Sequence, residues 1–345
     1  MSNLPVRRRG GLQTERKNNT YMLIPVLLFL VGFGLLIKGG DWFVDGSVGI
    51  AHRFHLPELL IGATIVSIGT TLPEVMVSAQ AAAEGNAGIS YGNAIGSVIC
   101  NTSLIAALTV AIRPGKVDPK SFRLPTAFFF AAALSYAAIA WTLGKFERWM
   151  GIAYLCVFVG YMILSTVQMK KHPELSDDGE EETEEHTEQP LWKEVLLLVV
   201  GAAAIAIGAR FLVDNGTLIA AALGVPDSVI GLTMVALGTS LPELITAITS
   251  LIKGHGALSL GNVIGANLFN IILVSGMAIT ISPFAVPAEK TIAGLNSSLV
   301  VDLPVMLFVM ALLCLPTLKS GKLRRYQGVV LLAIYALFTV YQFIS

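Results

Sequence analysis

Two glutamates carry the most informative chemistry in this sequence, because both lie inside long apolar runs. Glu74 and Glu243 are the only acidic residues that fall deep within such runs. A carboxylate surrounded by hydrocarbon costs about 3 kcal/mol or more unless it meets a cation or takes up a proton. Acidic residues in that setting are functional candidates, and this pair predicts a cation-binding site.

The residues around each glutamate supply further oxygen atoms. Proline precedes both, and because proline has no N–H, Pro73 and Pro242 should each leave the carbonyl four residues back free. A hydroxyl four residues before each glutamate shares its helix face, and a second hydroxyl follows it. Carbonyl, hydroxyl and carboxylate oxygens are the hard ligands that calcium prefers. The four hydroxyl residues are Thr70, Thr71, Thr239 and Ser240.

Polar side chains recur in the apolar run after each glutamate. Ser97 and Asn101 stand four positions apart, which places them on one helix face. The equivalent positions in the second run hold Ala266 and Asn270. We therefore expect oxygen-rich strips on these helices. Other repeated polar residues are interpreted as groups that pack membrane helices together, and they are Thr64, Thr233, Asn93 and Asn262.

Two aspartates and three cysteines receive simpler interpretations. Asp45 and Asp214 are repeated near the ends of apolar runs, where capping or interfacial pairing explains them. Cys100, Cys156 and Cys314 show neither disulfide nor metal-binding spacing. We interpret the cysteines as core residues.

The elements that must hold these residues are membrane-spanning helices. The chain of 345 residues is 54% hydrophobic and only 13% charged, which is too apolar for a water-soluble domain. Apolar runs of about 20 residues, long enough to cross a bilayer as a helix, recur along it. Ten spans are predicted, near residues 21–38, 58–83, 91–112, 122–143, 149–169, 191–211, 228–252, 260–281, 297–316 and 326–344.

The sequence contains an internal duplication. Segments 69–74 and 92–96 recur as segments 238–243 and 261–265, each at an offset of 169 positions. Each copy holds five spans, and because five is odd, the second copy enters the membrane from the opposite side. The sequence therefore predicts an all-α membrane protein of ten transmembrane helices arranged as two inverted five-helix repeats.

The duplication defines the domain organisation. We expect a basic tail (1–20), a first repeat (21–169), an acidic linker (170–190) and a second repeat (191–345). The acidic composition predicts that the linker is solvated.

The distribution of basic residues predicts the orientation. With ten spans, 14 Lys and Arg residues lie on one side and nine on the other, five of the nine in the tail. The positive-inside rule places the linker in the cytoplasm and both termini outside. The basic tail argues against this placement, and a translation start at Met22 would remove the conflict. N-terminal sequencing that found Met1 or Ser2 would reject this hypothesis.

A family resemblance follows from the paired motifs. Segments 69–74 and 238–243, with a Gly-Asn-x-Ile-Gly block beginning 18 positions after each glutamate, resemble the two alpha-repeats of the calcium/cation antiporter superfamily, specifically its bacterial sodium/calcium exchanger branch. The similarity covers essentially all ten spans. The resemblance implies a central calcium site with neighbouring sodium sites, no cofactor, a location in the bacterial inner membrane, and access switched by sliding of the first and sixth helices.

The resemblance also implies a set of ligands. They are Glu74, Glu243, Thr70, Thr71, Thr239, Ser240, Ser97, Asn101, Asn270 and the backbone carbonyls of Ser67 and Ala236. The chain departs from the family pattern where an aspartate is frequent at the position of Asn101 or Asn270, a serine at Ala266 and an asparagine at Val98. Two carboxylates neutralise one calcium ion or two sodium ions, so the family's coupling ratio is not carried over.

These features predict a secondary antiporter that exchanges calcium for sodium, and not an enzyme. Proton-coupled calcium exchange on the same scaffold is the alternative. A cation channel is less favoured, because channels usually take their symmetry from oligomers around a pore. A membrane metalloenzyme is disfavoured by the lack of a His-Glu-x-x-His pattern.

The expected partners are calcium and sodium ions and the lipid bilayer. No nucleic-acid partner is expected, because the net charge is zero. The sequence leaves the oligomeric state open, although a monomer suffices for transport.

Overall fold

The computed structural model describes residues 11–171, 189–223, 238–288, 291–292 and 294–344. Ten helices make up nearly all of this part of the chain. Eight of them are both long and apolar enough to cross a membrane. The chain is an all-α membrane protein, as predicted. The helices are α1 (Gly11–Arg53), α2 (Glu58–Ala83), α3 (Ala87–Ile112), α4 (Pro119–Leu143), α5 (Arg148–Lys171), α6 (Leu191–Ala222), α7 (Leu241–Ile252), α8 (Gly256–Ile281), α9 (Ser298–Ser320) and α10 (Arg325–Ile344).

Short strands join some of the loops between these helices. Strand β1 pairs with β2, and β3 pairs with β4 in a hairpin between α8 and α9. The strands are β1 (Lys145–Phe146), β2 (Phe284–Ala285), β3 (Thr291–Ile292) and β4 (Leu295–Asn296).

The first and sixth helices are longer than the predicted spans. α1 continues to Arg53 and α6 to Ala222. Charged residues end the apolar run of α1 in the sequence, but the helix itself continues past them, and Lys253, just after α7, pairs there with both Asp41 and Asp45. Several predicted segments lie outside the described residues, namely tail residues 1–10, linker residues 172–188 and residues 228–237 of the predicted seventh span.

Helices α1 and α6 cross in backbone contact. A methyl group placed on Gly208 would lie 2.7 Å from the carbonyl oxygen of Gly32, and one on Gly32 would lie 2.8 Å from the carbonyl oxygen of Gly208. Glycine allows this approach because it has no side chain. At one end of the pair, Arg53 Nε donates to Glu194 Oε2 at 2.9 Å. The two helices therefore form one packed unit, which we call the α1–α6 pair.

Reciprocal contacts show that the two halves are related by a twofold axis. Arg148 at the start of α5 donates to the carbonyl oxygen of Ile281 at the end of α8, at 3.3 Å. Arg325 at the start of α10 donates to the carbonyl oxygen of Ile112 at the end of α3, at 3.2 Å. Arg325 and Ile281 are the repeat equivalents of Arg148 and Ile112. Each half thus makes the same contact with the other.

The loops on either side of α4 show that the second half is inverted. Lys145, just after α4, pairs with Ala285, while Lys116, just before α4, pairs with Lys322. These two pairings are repeat equivalents of each other. α4 has 25 residues, which makes a helix about 38 Å long, so the equivalent contacts lie at opposite faces of the membrane.

Several helices contain a wider, π-helical turn. These turns are Gly62–Val66 in α2, Asn101–Ala106 in α3, Asn270–Val274 in α8 and Ser298–Asp302 at the start of α9. The turns in α3 and α8 begin at repeat-equivalent asparagines. A π turn is rare, interrupts the regular helix and is frequent at functional sites. Nothing in the sequence pattern predicted these turns.

Helix α8 lies at the centre of the molecule, against α2. A methyl group on Gly261 would fall well inside contact distance of the carbonyl oxygen of Leu59, and one on Gly265 would do the same against Ser67 Oγ and the backbone of Ala63. The Gly-Asn-x-Ile-Gly block of the second repeat is therefore a close-packing surface. It brings α8 against the helix that carries Glu74.

We predict that Gly261→Ala lowers the free energy of unfolding by about 1–3 kcal/mol, because the backbone of α2 must move to admit the methyl group. Thermal unfolding of the purified protein in detergent measures this effect. Gly160→Ala in α5 is the matched control, since no atom of the described chain lies within 4 Å of the added group, and it should change stability by less than about 1 kcal/mol. Equal melting temperatures for the two variants would contradict this account of the α2–α8 contact.

Candidate cation-binding site

Glu74 and Glu243 meet in the interior of the molecule. Each side chain has 0% exposure, and the two carboxylates are close enough to repel each other electrostatically. Among the described residues, none of their four carboxylate oxygens has a hydrogen-bond partner. Buried charges are normally paired or bound to a metal ion, so this arrangement requires a cation or a proton.

The two glutamates reach this position by different backbone routes. α2 runs on through Pro73, which lies inside the helix. Pro242 instead lies in the first turn of α7, after a turn at Thr239 and Ser240. Proline is favoured at a helix start, where its missing N–H leaves no gap. The prediction that Pro242 leaves the carbonyl of Gly238 free is unaffected by this placement, because proline has no N–H at a helix start either.

The route through α7 changes the electrostatic setting of Glu243. Its carboxylate belongs to the first helical turn, where the unpaired backbone N–H groups give the helix end a partial positive charge. Glu74 lies in the middle of α2 and has no such help. The two carboxylates are equivalent in the repeat but differ in their surroundings.

The four hydroxyl residues predicted from the sequence differ in their burial and in their contacts. Thr71 and Ser240 are buried, and neither hydroxyl oxygen has a hydrogen-bond partner in the described chain. Thr70 and Thr71 both lie beside the carboxyl group of Glu243. Thr239 is only partly buried.

The backbone carbonyl of Ser67 lies at the edge of this group. Its oxygen is 3.4 Å from Thr70 Oγ1, while the Ser67 hydroxyl donates to the carbonyl oxygens of Gly62 at 2.7 Å and Asn262 at 2.9 Å. Ala236, the predicted counterpart of Ser67, lies outside the described residues.

Two amide side chains of the predicted ligand set are also buried. Asn101 and Asn270 each have 0% exposure, and neither the oxygen nor the nitrogen of either amide has a partner in the described chain. Both stand at the first position of a π turn. Ser97, one helical turn before Asn101, is also buried.

The composition of the cluster determines which ion it suits. More than nine in ten buried polar groups in proteins have a hydrogen-bond partner. Several buried oxygens without one therefore indicate that a bound cation or proton serves as their partner. Carboxylate, hydroxyl and amide oxygens match the hard cations calcium and sodium. The described residues contain no group of three or more His, Cys, Asp or Glu side chains arranged for a transition metal.

Asn93 and Asn262 link the helices around the site, as their interpretation as packing groups predicts. Asn93 Nδ2 donates to the carbonyl oxygen of Glu74 at 3.1 Å and to Ser78 Oγ at 2.8 Å. Asn262 Oδ1 accepts from Thr70 Oγ1 at 3.1 Å. Asn262 therefore also orients a hydroxyl beside Glu243, a role that the sequence analysis missed.

Other buried polar residues were missed as well. Thr246 and Ser250 lie three and seven residues after Glu243 on α7, and both hydroxyls are buried without a partner in the described chain. Their helical spacing from Glu243 was the available signal.

The interpretation of the cysteines as core residues holds for Cys100 and Cys314 but is wrong for Cys156, which is exposed on α5. A residue facing lipid and one facing the core are both compatible with an apolar run.

Known proteins resemble this chain along nearly its whole length. The family model described as "Sodium/calcium exchanger protein" matches residues 24–167 and 193–344. An uncharacterized membrane protein of Methanocaldococcus jannaschii is 35% identical over 323 residues, covering 91% of this chain and 96% of that protein. The sodium/calcium exchanger MaX1 of Methanosarcina acetivorans is 31% identical over 350 residues, covering 92% and 98%. A solved structure of the sodium-calcium exchanger NCX_Mj, soaked with sodium and strontium, superimposes with a TM-score of 0.77 at 32% identity over 92% of this chain and 98% of that one.

We predict that calcium stabilises the protein through the two glutamates. At about 100 times its dissociation constant, a ligand that binds only the folded state adds about 2.7 kcal/mol. Thermal unfolding in detergent, with calcium or with a chelator, should show this gain for the unchanged protein and lose it in Glu74→Gln and Glu243→Gln. Glu147→Gln, which alters an exposed acid between α4 and α5, should keep the gain. A calcium-dependent shift that persists in Glu243→Gln would exclude this residue as a ligand.

Proposed function

Because this chain belongs to the sodium/calcium exchanger protein family, we propose that it exchanges calcium for sodium across the membrane at the cluster around Glu74 and Glu243. The single observation that carries this proposal is the pair of fully buried carboxylates, one from each inverted repeat, without partners in the described chain. We call this cluster the exchange site. Its ligands are those named from the sequence, with Ala236 included on the resemblance alone.

Charge balance supports exchange at a shared site. Two carboxylates are neutralised by one calcium ion or by two sodium ions, so each cargo leaves the buried site without net charge. Both ions together would leave it strongly positive in a medium of low dielectric constant, where uncompensated charge is costly. Calcium and sodium should therefore bind alternately rather than together.

The neutral ligands support coordination of a metal cargo. Calcium takes six to eight oxygen ligands, and two carboxylates alone provide at most four. The hydroxyls of Thr71 and Ser240 and the amides of Asn101 and Asn270 add oxygens that have no other partner in the described chain. Proton coupling is the second candidate function, because the same buried carboxylates can also carry protons. The name of the relative MaX1 supports sodium as the coupling ion.

Calcium uptake into proteoliposomes separates these functions. We expect an outward-directed sodium gradient to drive uptake, and equal potassium or pH gradients to fail. Glu74→Gln and Glu243→Gln should each lower this flux by about 100-fold or more. Each variant removes a carboxylate from the bound cation, and loss of one partner from a buried pair of opposite charges costs about 3–5 kcal/mol. Uptake driven by the pH gradient alone would favour proton coupling, and unchanged flux in both variants would reject the exchange site.

Alternating access requires a part that moves across the exchange site, and the α1–α6 pair is placed to do so. Phe43 of α1 and Ala202 and Ala206 of α6 face Thr70 and Pro242 across a narrow space. The pair packs on itself through glycine, so it can shift as one body. Its shift would uncover the site on one side and cover it on the other.

An ion-pair cluster closes one end of the α1–α6 pair. Lys253 Nζ, at the end of α7, lies 2.7 Å from Asp45 Oδ1 and 3.6 Å from Asp41 Oδ1, both on α1. This end lies on the linker side, because Arg53 of the same helix also donates to the carbonyl oxygen of Gln189. If the linker lies in the cytoplasm, as the positive-inside rule predicts, this cluster holds α1 against α7 on the cytoplasmic side.

Two of the three repeat equivalents of this cluster carry reversed charges, while the third, Asp214, is acidic like Asp45. Glu84, just after α2, corresponds to Lys253, and Arg210 on α6 corresponds to Asp41. In this structure Glu84 accepts from Gln80 of α2 at 2.9 Å, and Arg210 pairs with Asp214 of its own helix at 3.5 Å. We propose that Glu84 and Arg210 join in the alternate state, and that this pair replaces the cluster at Lys253.

Paired cysteines test this exchange of ion pairs. In a background with Cys100, Cys156 and Cys314 replaced by serine, the pairs Asp45→Cys/Lys253→Cys and Glu84→Cys/Arg210→Cys should each form a disulfide that stops transport. Reduction should restore it. Each crosslink should exclude the other when both pairs are present, because they belong to different states. Flux through liposomes and gel mobility measure the two effects.

The pair Arg53→Cys/Glu194→Cys is the matched control. It lies within the α1–α6 pair, so its crosslink should leave transport intact if the two helices move together. Free transport with Asp45 and Lys253 joined would contradict the proposed movement. Crosslinking of Glu84 and Arg210 at the same time as the first pair would contradict their alternation.

A further inference from the structure

Two hydroxyl groups continue the polar face of α7 beyond the exchange site. Thr246 and Ser250 follow Glu243 by three and seven residues, which places all three on one face of the helix. Both side chains have 0% exposure, and neither hydroxyl oxygen has a hydrogen-bond partner in the described chain. A buried hydroxyl without a partner costs free energy. Two of them on one face indicate a role in another arrangement of the helices.

Thr246 and Ser250, which we call the hydroxyl strip, lead from the exchange site to the ion-pair cluster at Lys253. From Glu243 to Ser250 the helix rises about 10 Å, at 1.5 Å per residue. Lys253 follows three residues later, and its Nζ lies 2.7 Å from Asp45 Oδ1 of α1. The hydroxyl strip therefore spans the distance between the carboxylate of Glu243 and the contact that holds α1 against α7 on the linker side.

Helix α1 covers the neighbouring face of α7. A methyl group placed on Gly40 of α1 would lie 2.8 Å from both Ile245 Cγ2 and Thr249 Oγ1. Thr246 and Ser250 each follow one of these two residues, and one residue corresponds to about 100° around a helix of 3.6 residues per turn. The hydroxyl strip thus lies along the edge of the face that α1 covers. A shift of the α1–α6 pair away from α7 would expose it.

The inverted repeat lacks this strip. The equivalent residues of α2 are Val77 and Ala81, whose side chains have no polar atom. The nearby hydroxyl of Ser78 has a partner, because Asn93 Nδ2 donates to it at 2.8 Å. Since the repeats are inverted, the two equivalent faces lead to opposite sides of the membrane. Of these two faces, only the one that leads to the linker side carries hydroxyls without partners in the described chain.

Hydroxyl groups along a path ease the passage of a hydrated cation. An ion without its water is costly in a medium of low dielectric constant. A hydroxyl both donates and accepts hydrogen bonds, so it can hold the water molecules that accompany the ion. Valine and alanine side chains offer no such bonds. A face with hydroxyls therefore lowers the barrier to entry from its side of the membrane.

We propose that Thr246 and Ser250 line the path by which hydrated calcium and sodium ions pass between the exchange site and the linker side of the membrane. The path opens when the α1–α6 pair moves away from α7 and the pairing of Lys253 with Asp45 breaks. The two hydroxyls then contact the water around the ion. The inference rests on the proposed function of the exchange site.

Reaction with a water-soluble thiol reagent tests the path directly. In the background in which serine replaces all three native cysteines, Thr246→Cys and Ser250→Cys should each react with a membrane-impermeant, cationic methanethiosulfonate. The reaction of Thr246→Cys should be lost once Asp45→Cys and Lys253→Cys are joined by a disulfide, because this crosslink holds α1 over the strip. The mass of the intact protein measures the reaction.

Ala247→Cys is the matched control for this reaction. Ala247 also has 0% exposure, but it lies two residues, or about 200° around the helix, beyond Ile245 and so faces away from α1. It should stay unreactive. If Thr246→Cys and Ser250→Cys stay unreactive in protein that still transports, or if Ala247→Cys reacts at the same rate, the proposed path is wrong.

Calcium entry from each side of the membrane provides the second measurement. Thr246→Val/Ser250→Ala removes both hydroxyls. In membrane vesicles of opposite orientation, the initial rate at low calcium should fall by about tenfold for entry from the linker side, in line with the loss of two hydroxyl hydrogen bonds, and by less from the other side. Val77→Thr/Ala81→Ser, which adds hydroxyls at the equivalent positions, should not slow entry from the linker side. An unchanged rate, or an equal fall from both sides, would overturn the role of the hydroxyls.

Failure of this inference is distinct from failure of the proposed function. Loss of calcium uptake in Glu243→Gln together with unchanged entry from both sides in Thr246→Val/Ser250→Ala would remove only the path. Unchanged calcium uptake in Glu74→Gln and Glu243→Gln would instead remove the exchange site itself, whichever cysteines the reagent labels.

Discussion

Two carboxylates buried against each other in a membrane protein are the constraint on which the rest of this structure depends. Glu74 and Glu243 repel each other, and neither finds a hydrogen-bond donor in the described chain. A fold that holds them together must gain its stability elsewhere, and the close helix contacts through glycine provide it. The carboxylates are tolerable because a cation can neutralise them, which couples the stability of the site to the ion it carries.

The inverted repeat is what brings the two carboxylates together. A single copy would place one glutamate on one helix, and only the twofold relation, seen in the matching contacts of Arg148 and Arg325, adds the second from the opposite direction. The copies are not identical in detail. α2 passes straight through its proline, while α7 begins at its own. The predicted ligands are thus mostly matched between the repeats, apart from Ser97, whose equivalent is Ala266, while the backbone around the two glutamates differs.

The packing of the helices separates a central part, α2 and α8, from a covering part, the α1–α6 pair. α2 and α8 pack so closely that Gly261 has no room for a methyl group, and they carry five of the eleven predicted ligands. α1 and α6 pack mainly on each other and lie across the site. The ion pairs that join α1 to α7 involve partly exposed side chains, which are worth little individually. In the proposed transport cycle, contacts of this kind break and form again, while the close contacts of α8 stay in place.

The sequence alone predicted the all-α membrane class and the duplication, and it singled out Glu74 and Glu243, which the structure places in its interior. These follow from apolar length, from a fixed offset and from the cost of charge in hydrocarbon, and each acts over a short stretch of chain. The bounds of the helices were less predictable, because apolar length marks the part of α1 that suits lipid, while the helix itself continues past the charged residues to Arg53.

Which polar side chains contact each other depends on how the helices pack. Asn262 orients Thr70, and Cys100 reaches Ser240, across contacts between helices that are distant in the sequence. The π turns at Asn101 and Asn270 depend on the packing of neighbouring helices, and no local pattern encodes them. A pattern in one segment fixes which face of a helix is polar, but only the packed helices determine what that face touches.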